Sequence, residues 1–301
     1  VNLDFHDITL DEAQHYLEHW NMCAQRTSDY CFPIIWSLGP DYGTKIAYDE
    51  ENDLYWLHQR KEGLNDLAPV GRWERDDWPE ILRAHYGDEI EIDLVPEALA
   101  EIWTRELEGH AKVEVTEDRG TWEYLYDIHA LATLSGNKYM KKRNRVNQFR
   151  KNYDYTYEPL NDALLEEIIE FQQSWCQINN CGQNEGLVEE DHAIHRILHN
   201  WHRIPNLCGG AIRVGKKIEA YTVGELAGNM IVVHYEKASL EYGAAYQVIN
   251  KEFLAHMVAE HPELEIANRE EDMNDAGLRA AKMSYMPVGF LKECKVNIKF
   301  I

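Results

Sequence analysis

The sequence predicts a mixed α/β chain of the α+β type, built as two units that each carry a mixed, mainly antiparallel sheet flanked by helices. Three observations predict it. The chain has 301 residues, about twice an ordinary domain. Three apolar runs in its second half, 210–214, 218–226 and 230–238, are separated only by Gly215-Lys216-Lys217 and Ala227-Gly228-Asn229, the spacing of an antiparallel meander. Segments of helical periodicity lie on both sides of that meander.

In chain order, the first half reads as a helix from Leu10 to Met22 and strands near Pro33 to Leu38, Thr44 to Tyr48 and Leu54 to Gln59. A helix at Trp78 to Tyr86, a strand at Glu89 to Leu94, a helix at Glu97 to Leu107 and extended chain from Lys112 to Asp127 complete it. The second half opens with a helix from Asp162 to Gln177, whose Leu165, Ile168, Ile169 and Trp175 recur near helical spacing, and a second from Glu189 to Arg203. After the meander, Gly243-Ala244-Ala245 opens a helix that runs to about Glu260 and is closed by Pro262. A strand at Leu264 to Ala267, a helix from Asp275 to Met283 and a strand pair between Val288 and Phe300 follow. Two helices, three antiparallel strands, a helix, a strand, a helix and a strand pair is the order of the GNAT, or acyl-CoA N-acyltransferase-like, fold. The first half repeats that order in degraded form without residue-level repetition, so the expected domains are 1–127, a degenerate GNAT-like unit, and 128–301, the unit with the active site.

Apolar residues make up 45 % of the chain, enough for two modest cores. The nine Trp and seventeen Tyr read first as core packing with a hydrogen-bonded polar tip and second as groove lining. Six cysteines without a Cys-x-x-Cys pair, and no N-terminal apolar run, give no sign of export or of a disulfide framework. No stretch approaches the roughly 18 apolar residues of a spanning helix. The expectation is a cytoplasmic protein, any membrane contact being peripheral or through a domain outside this sequence.

The formal net charge is −23, which taken alone disfavours nucleic acid. The charge is unevenly spread, however. Lys138, Lys141, Lys142, Arg143, Arg145, Arg150 and Lys151 lie together with no acid among them, while Met140, Val146 and Phe149 recur at helical spacing. The run reads either as an anion site, for a tRNA backbone or an acidic lipid head group, or as a solvated helix face.

In a GNAT unit the strand before the long helix parts from its neighbour, which frees backbone amides for an acyl carbonyl, and the helix N-terminus receives phosphate. The corresponding junction here is His234-Tyr235-Glu236-Lys237-Ala238 followed by Gly243-Ala244-Ala245. Gly243 and Ala245 fit the coenzyme A signature, whereas Leu240 stands where a Gln or Arg belongs. Gly243 also reads as a plain helix start.

Tyr126-Asp127, Leu134-Ser135-Gly136 and Lys141-Lys142-Arg143-Asn144 resemble the entry segment of a bacterial family related to the C-terminal catalytic domain of phosphatidylglycerol lysyltransferase. Glu236-Lys237-Ala238, Gly243 through Asn250, and Asn268-Arg269-Glu270-Glu271-Asp272 continuing through Gly277 to Tyr285 match as well. The resemblance spans about Gly120 to Pro287. It implies a tandem GNAT scaffold, similar to that of the peptidoglycan-bridge aminoacyltransferases, that moves an aminoacyl group from aminoacyl-tRNA to a lipid or peptide acceptor. Alternatives are an acyl-CoA-dependent N-acetyltransferase and a non-catalytic binding protein on the same scaffold.

Such a transfer needs a base for the attacking amine or hydroxyl, a stabilised carbonyl oxygen and a proton for the leaving alkoxide. The residues expected to serve are Glu236 and Asp272 as bases and Tyr285 as proton donor. Lys237, Gly243, Ala245, Arg269, Arg279, Lys282, Lys141, Lys142, Arg143 and Arg145 are expected at the donor's anionic groups. Arg279 and Lys282 share one helix face, and with the neighbouring acids they read equally as a structural ion-pair network. The stripe of His192, His195, His199 and His202 reads as a polar helix face, and no metal is expected.

Overall fold

The computed structural model describes residues 3–301 and forms two compact units. Of the described residues, the first comprises 3–123, 203–205 and 291–301; the second comprises 124–202 and 206–290.

The first unit starts with β1 (His6–Asp7), α1 (Ala13–Trp20), α2 (Phe32–Tyr42), β2 (Lys45–Asp49), β3 (Leu54–His58) and β4 (Leu67–Gly71). The four strands form an antiparallel sheet in chain order. The segment expected as a strand from Pro33 to Leu38 is the helix α2. A short apolar run has no period by which to tell strand from buried helix, and Pro33 suits the first helical turn, where its missing N–H costs nothing. Next come α3 (Trp78–Tyr86), β5 (Glu89–Pro96), α4 (Glu97–Glu106) and β6 (Ala111–Glu117). Trp56, Trp78 and Trp103 are fully buried in this unit, which bears out the packing role of the aromatic residues there.

The second unit carries β7 (Glu123–Asp127), α5 (Ile128–Thr133), α6 (Met140–Asn152), β8 (Tyr155–Pro159), α7 (Asp162–Ile178) and α8 (Glu185–His199). The meander follows as β9 (Leu207–Val214), β10 (Lys217–Ala227) and β11 (Met230–Ala238), then α9 (Ala245–Glu260), β12 (Ile266–Asn268), α10 (Ala276–Met283) and β13 (Gly289–Leu291). Its seven strands are ordered β13-β7-β12-β11-β10-β9-β8. α9 buries Val248, Ile249, Phe253, Leu254 and Met257 in a cluster with Ile212, Ile231 and Tyr126. The basic run is helical as α6, with Val146 and Phe149 as its buried stripe.

Two expectations need correction. The last strands do not pair with each other: β13 joins the edge of the seven-stranded sheet, whereas β14 (Glu293–Phe300) lies between β5 and β6. β14 alternates buried Cys294, Val296 and Ile298, so it covers an apolar sheet face of the first unit. Its length and alternation are legible locally, but its partners are some 200 residues away. The cysteines also hold one disulfide, Cys176–Cys181, because the turn that ends α7 brings the two Cα atoms to 5.0 Å.

The site-forming irregularity lies in β11. Val223 pairs with Tyr235 and Gly224 with Val233, so His234 is an extra residue opposite β10, a β-bulge. β12 runs parallel to β11 and pairs with it only from Met230 to Val232. Beyond the bulge β11 continues to Ala238 without β12 alongside, which gives the parting of strands expected at this junction. A side chain on Gly224 would collide with the carbonyl oxygen of Val232. Gly224→Ala should therefore lower the thermal midpoint, at a cost of about 1–3 kcal/mol from forced overpacking. An unchanged midpoint in a melting experiment would show that the bulge is not tightly fixed.

Candidate active site

The space where β11 leaves β12 is closed by side chains from both arms. Arg269 immediately follows β12, and its Nη2 donates to Glu236 Oε1 on β11 at 3.0 Å. The other Glu236 oxygen accepts from Asn250 Nδ2 of α9 at 3.1 Å. Side-chain exposures of 16 % for Arg269 and 10 % for Glu236 place this pair just inside the surface. The guanidinium carbon stands 5.0 Å from the ring centre of Tyr285 and 6.0 Å from that of Tyr126, so two aromatic rings flank the charge. A second strut crosses one step deeper, where the bulged His234 bonds Glu270 through Nδ1 at 2.7 Å.

Tyr285 sits at the end of α10 with its backbone carbonyl accepting from the Tyr139 hydroxyl at 3.2 Å. Burial pushes the phenol up to about 12 against the pull of Arg269, so it keeps its proton at neutral pH. Above it lies α6. The Lys142 ammonium is 4.0 Å from the ring centre of Tyr285, and burial followed by the charges of Arg269 and Arg145 pushes its pKa down. Three cations, Lys142, Arg145 and Arg269, thus lie around one tyrosine, Lys142 over its ring and the two arginines acting on its hydroxyl. An anion placed among them would relieve their mutual repulsion.

The other expected residues take different places. The Asp272 carboxylate is fully buried and accepts from Arg279 Nε and Nη2 at 2.8 Å each and from the Tyr124 hydroxyl at 2.6 Å. The Arg279 bonds hold its pKa well below the usual carboxylate range, so it is a poor proton acceptor. Lys282 donates to the carbonyls of Arg269, Glu270 and Glu271, at 2.5, 3.0 and 2.5 Å. Asp272, Arg279 and Lys282 thus make the hydrogen bonds of an ion-pair network around this loop. Lys237 points from β11 to the side opposite Glu236, as alternation requires, where it pairs with Glu190 under the Trp175 ring.

On α6, Arg143 is spent on the carbonyls of Leu134 and Gly136, at 2.5 and 3.0 Å, while Lys141 and Arg145 are exposed. Gly243 has open space where a side chain would stand, and the left-handed residue at the start of α9 is Ala244, with φ 77°. Ala245 is buried as the first residue of that helix, and Leu240 is 73 % exposed. In the histidine stripe His195 faces Asp191 at 3.8 Å and His202 pairs with Asp162 at 2.6 Å. Sequence reading missed Asn250, Tyr126 and His234. Asn250 carried a signal, as an amide one turn inside an otherwise apolar helix face.

The site has a pH signature. Burial pushes the His234 pKa down, so the folded chain holds the ring neutral. Below the unfolded value of about 6.5 the unfolded chain takes up a proton that the folded one resists, so stability falls as pH drops from there. Calorimetry from neutral to mildly acid pH should show a shallower decline in His234→Gln than in the parent chain; equal slopes would remove His234 from the acid response.

Comparison with known proteins matches residues 23–293 to the family described as phosphatidylglycerol lysyltransferase, C-terminal. An uncharacterised protein of Mycoplasmoides gallisepticum is 25 % identical over 188 residues, 62 % of this chain, and the match spans only 59 % of that relative's length. A crystal structure of a conserved protein of unknown function from Bacteroides thetaiotaomicron is 30 % identical, with a TM-score of 0.87 over 99 % of both chains. The structure of L-PGS from Bacillus licheniformis is 14 % identical, with a TM-score of 0.61 over 95 % of this chain and 90 % of that one, a likeness of fold. The expected architecture of two units, each with a mainly antiparallel sheet flanked by helices, holds. Among the described residues no helix is long and apolar enough to cross a membrane. With nearly all of its length matched to one family, this chain is a member of the phosphatidylglycerol lysyltransferase C-terminal family.

Proposed function

We propose that the chain is a transferase that moves an aminoacyl group from an anionic ester donor, aminoacyl-tRNA, to an amine or hydroxyl of a lipid or small acceptor. The observation that carries the reading is the placement of Glu236, Arg269 and Tyr285 at the parting of β11 and β12, beneath Lys142 and Arg145. Glu236 takes the proton of the attacking group. Arg269 holds that carboxylate in position and has guanidinium donors besides the one on Glu236, able to meet the carbonyl oxygen as negative charge develops there. Tyr285, protonated at neutral pH, gives its proton to the leaving alkoxide. Lys142 and Arg145 hold phosphate of the donor.

The open start of α9, without the Gln or Arg of the coenzyme A signature, favours aminoacyl-tRNA over acyl-CoA. Incubation with labelled aminoacyl-tRNA and separately with acetyl-CoA tests this. Saturable binding and acyl transfer are expected with the first; saturable binding of neither overturns the reading, and transfer from acetyl-CoA alone changes the donor. Glu236→Gln and Tyr285→Phe should each cut single-turnover transfer by about 100- to 10,000-fold with little change in donor affinity. Unchanged transfer in both would favour a binding protein with different chemistry. Lys142→Ala and Arg145→Ala should weaken donor binding, and each should reduce the dependence of log affinity on log salt by about one.

A further inference from the structure

The first unit contains a second cluster of charged groups that this reaction does not use. Asp29, Glu123 and Glu293 come from positions far apart in the chain, yet one carboxylate oxygen of each lies within 4.8 Å of the others. The Glu123 and Glu293 residues are fully buried. Glu123 is oriented by Ser28, whose backbone N–H and hydroxyl both donate to Oε1, at 2.5 and 2.7 Å. Neither Glu293 oxygen has a well-aligned hydrogen-bond partner, and neither does the hydroxyl of buried Thr27 beside it.

Buried carboxylates this close repel one another and have lost their water, so they persist only with a shared proton or a cation among them. The largest influences on Asp29 and Glu293 are burial and each other, with Glu123 and Thr27 beside Glu293 and Tyr30 within electrostatic reach of both acids. The Thr27 hydroxyl is an observation separate from the acids. It is a neutral oxygen with spare lone pairs, left without an aligned partner beside Glu293, and a bound cation would satisfy it. Three carboxylates and a hydroxyl, with no nitrogen or sulfur, make a hard oxygen set suited to magnesium, manganese or calcium.

We propose that Asp29, Glu123, Glu293 and the Thr27 hydroxyl form a buried site for one divalent, oxygen-preferring cation that ties together three distant segments of the first unit. The site is independent of the proposed transfer reaction.

The test uses the full chain stripped with EDTA and titrated calorimetrically with magnesium, manganese and calcium chlorides near neutral pH, with melting curves alongside. Saturable one-to-one uptake of at least one cation below about 1 mM is expected, with a higher thermal midpoint. Glu293→Gln should weaken uptake at least tenfold, while Glu62→Gln, an exposed acid elsewhere in the unit, should not. If Glu293→Gln does not fold, Asp29→Asn and Thr27→Val are read by the same criterion. Failure of all three cations to bind, with a midpoint indifferent to EDTA, overturns the proposal in favour of a shared proton. Parent-like affinity in the folded variants overturns it as well.

Discussion

The second unit is organised around an ion pair placed where a sheet stops being a sheet. Strand pairing satisfies backbone groups automatically, so a place where two strands part must be held open by something else. In this chain the bulge at His234 turns β11 away from β12, and the Arg269–Glu236 pair spans the resulting gap. A largely buried charge is best tolerated when it is paired and its remaining donors find partners. Tyr126 and Tyr285 supply aromatic faces and Asn250 holds the second carboxylate oxygen, so the pair is fixed from several sides. A carboxylate and a guanidinium held in place before a ligand arrives need little reorganisation when charge develops beside them.

The loop after β12 explains why so many acids and bases crowd one stretch of sequence. Glu270, Met273 and Asn274 all have positive φ, a conformation that side-chain-bearing residues adopt only under compensation. Lys282 gathers three successive carbonyls of that loop, Asp272 is clamped by Arg279 and Tyr124, and the Asp272 Oδ1 also accepts from the Asn274 N–H at 3.0 Å. These bonds fix the backbone that carries Arg269.

Much of this was legible from residue order, and the failures are instructive. β11 was delimited correctly to the residue because Asn229 and its neighbours mark the turn before it, and α3 was delimited equally well by the Pro79-centred start and Gly87. α2 was misread because a short apolar run fits a buried strand and a buried helix alike. β14 was placed with the wrong sheet since strand partners are a tertiary property with no local signal. At the site, residue order offered Glu236, Asp272 and Tyr285 together as candidates, but it gave no sign that Asp272 lies in a buried bond network with Arg279 while Glu236 meets Arg269. Residue type shows that a charge exists; only packing decides whether it is spent on a carbonyl, on a partner or on nothing. The acids of the first unit show the same limit, because positions 29, 123 and 293 share no local pattern.

The central claim is that Arg269 and Glu236 act as one unit, in which the guanidinium holds the carboxylate in place. A double-mutant cycle of Arg269→Gln, Glu236→Gln and the double variant, read in single-turnover aminoacyl transfer, tests that claim most directly. The account predicts strong non-additivity, with the double variant hardly worse than either single one. Additive losses would contradict it, since they would mean that each residue serves the reaction alone.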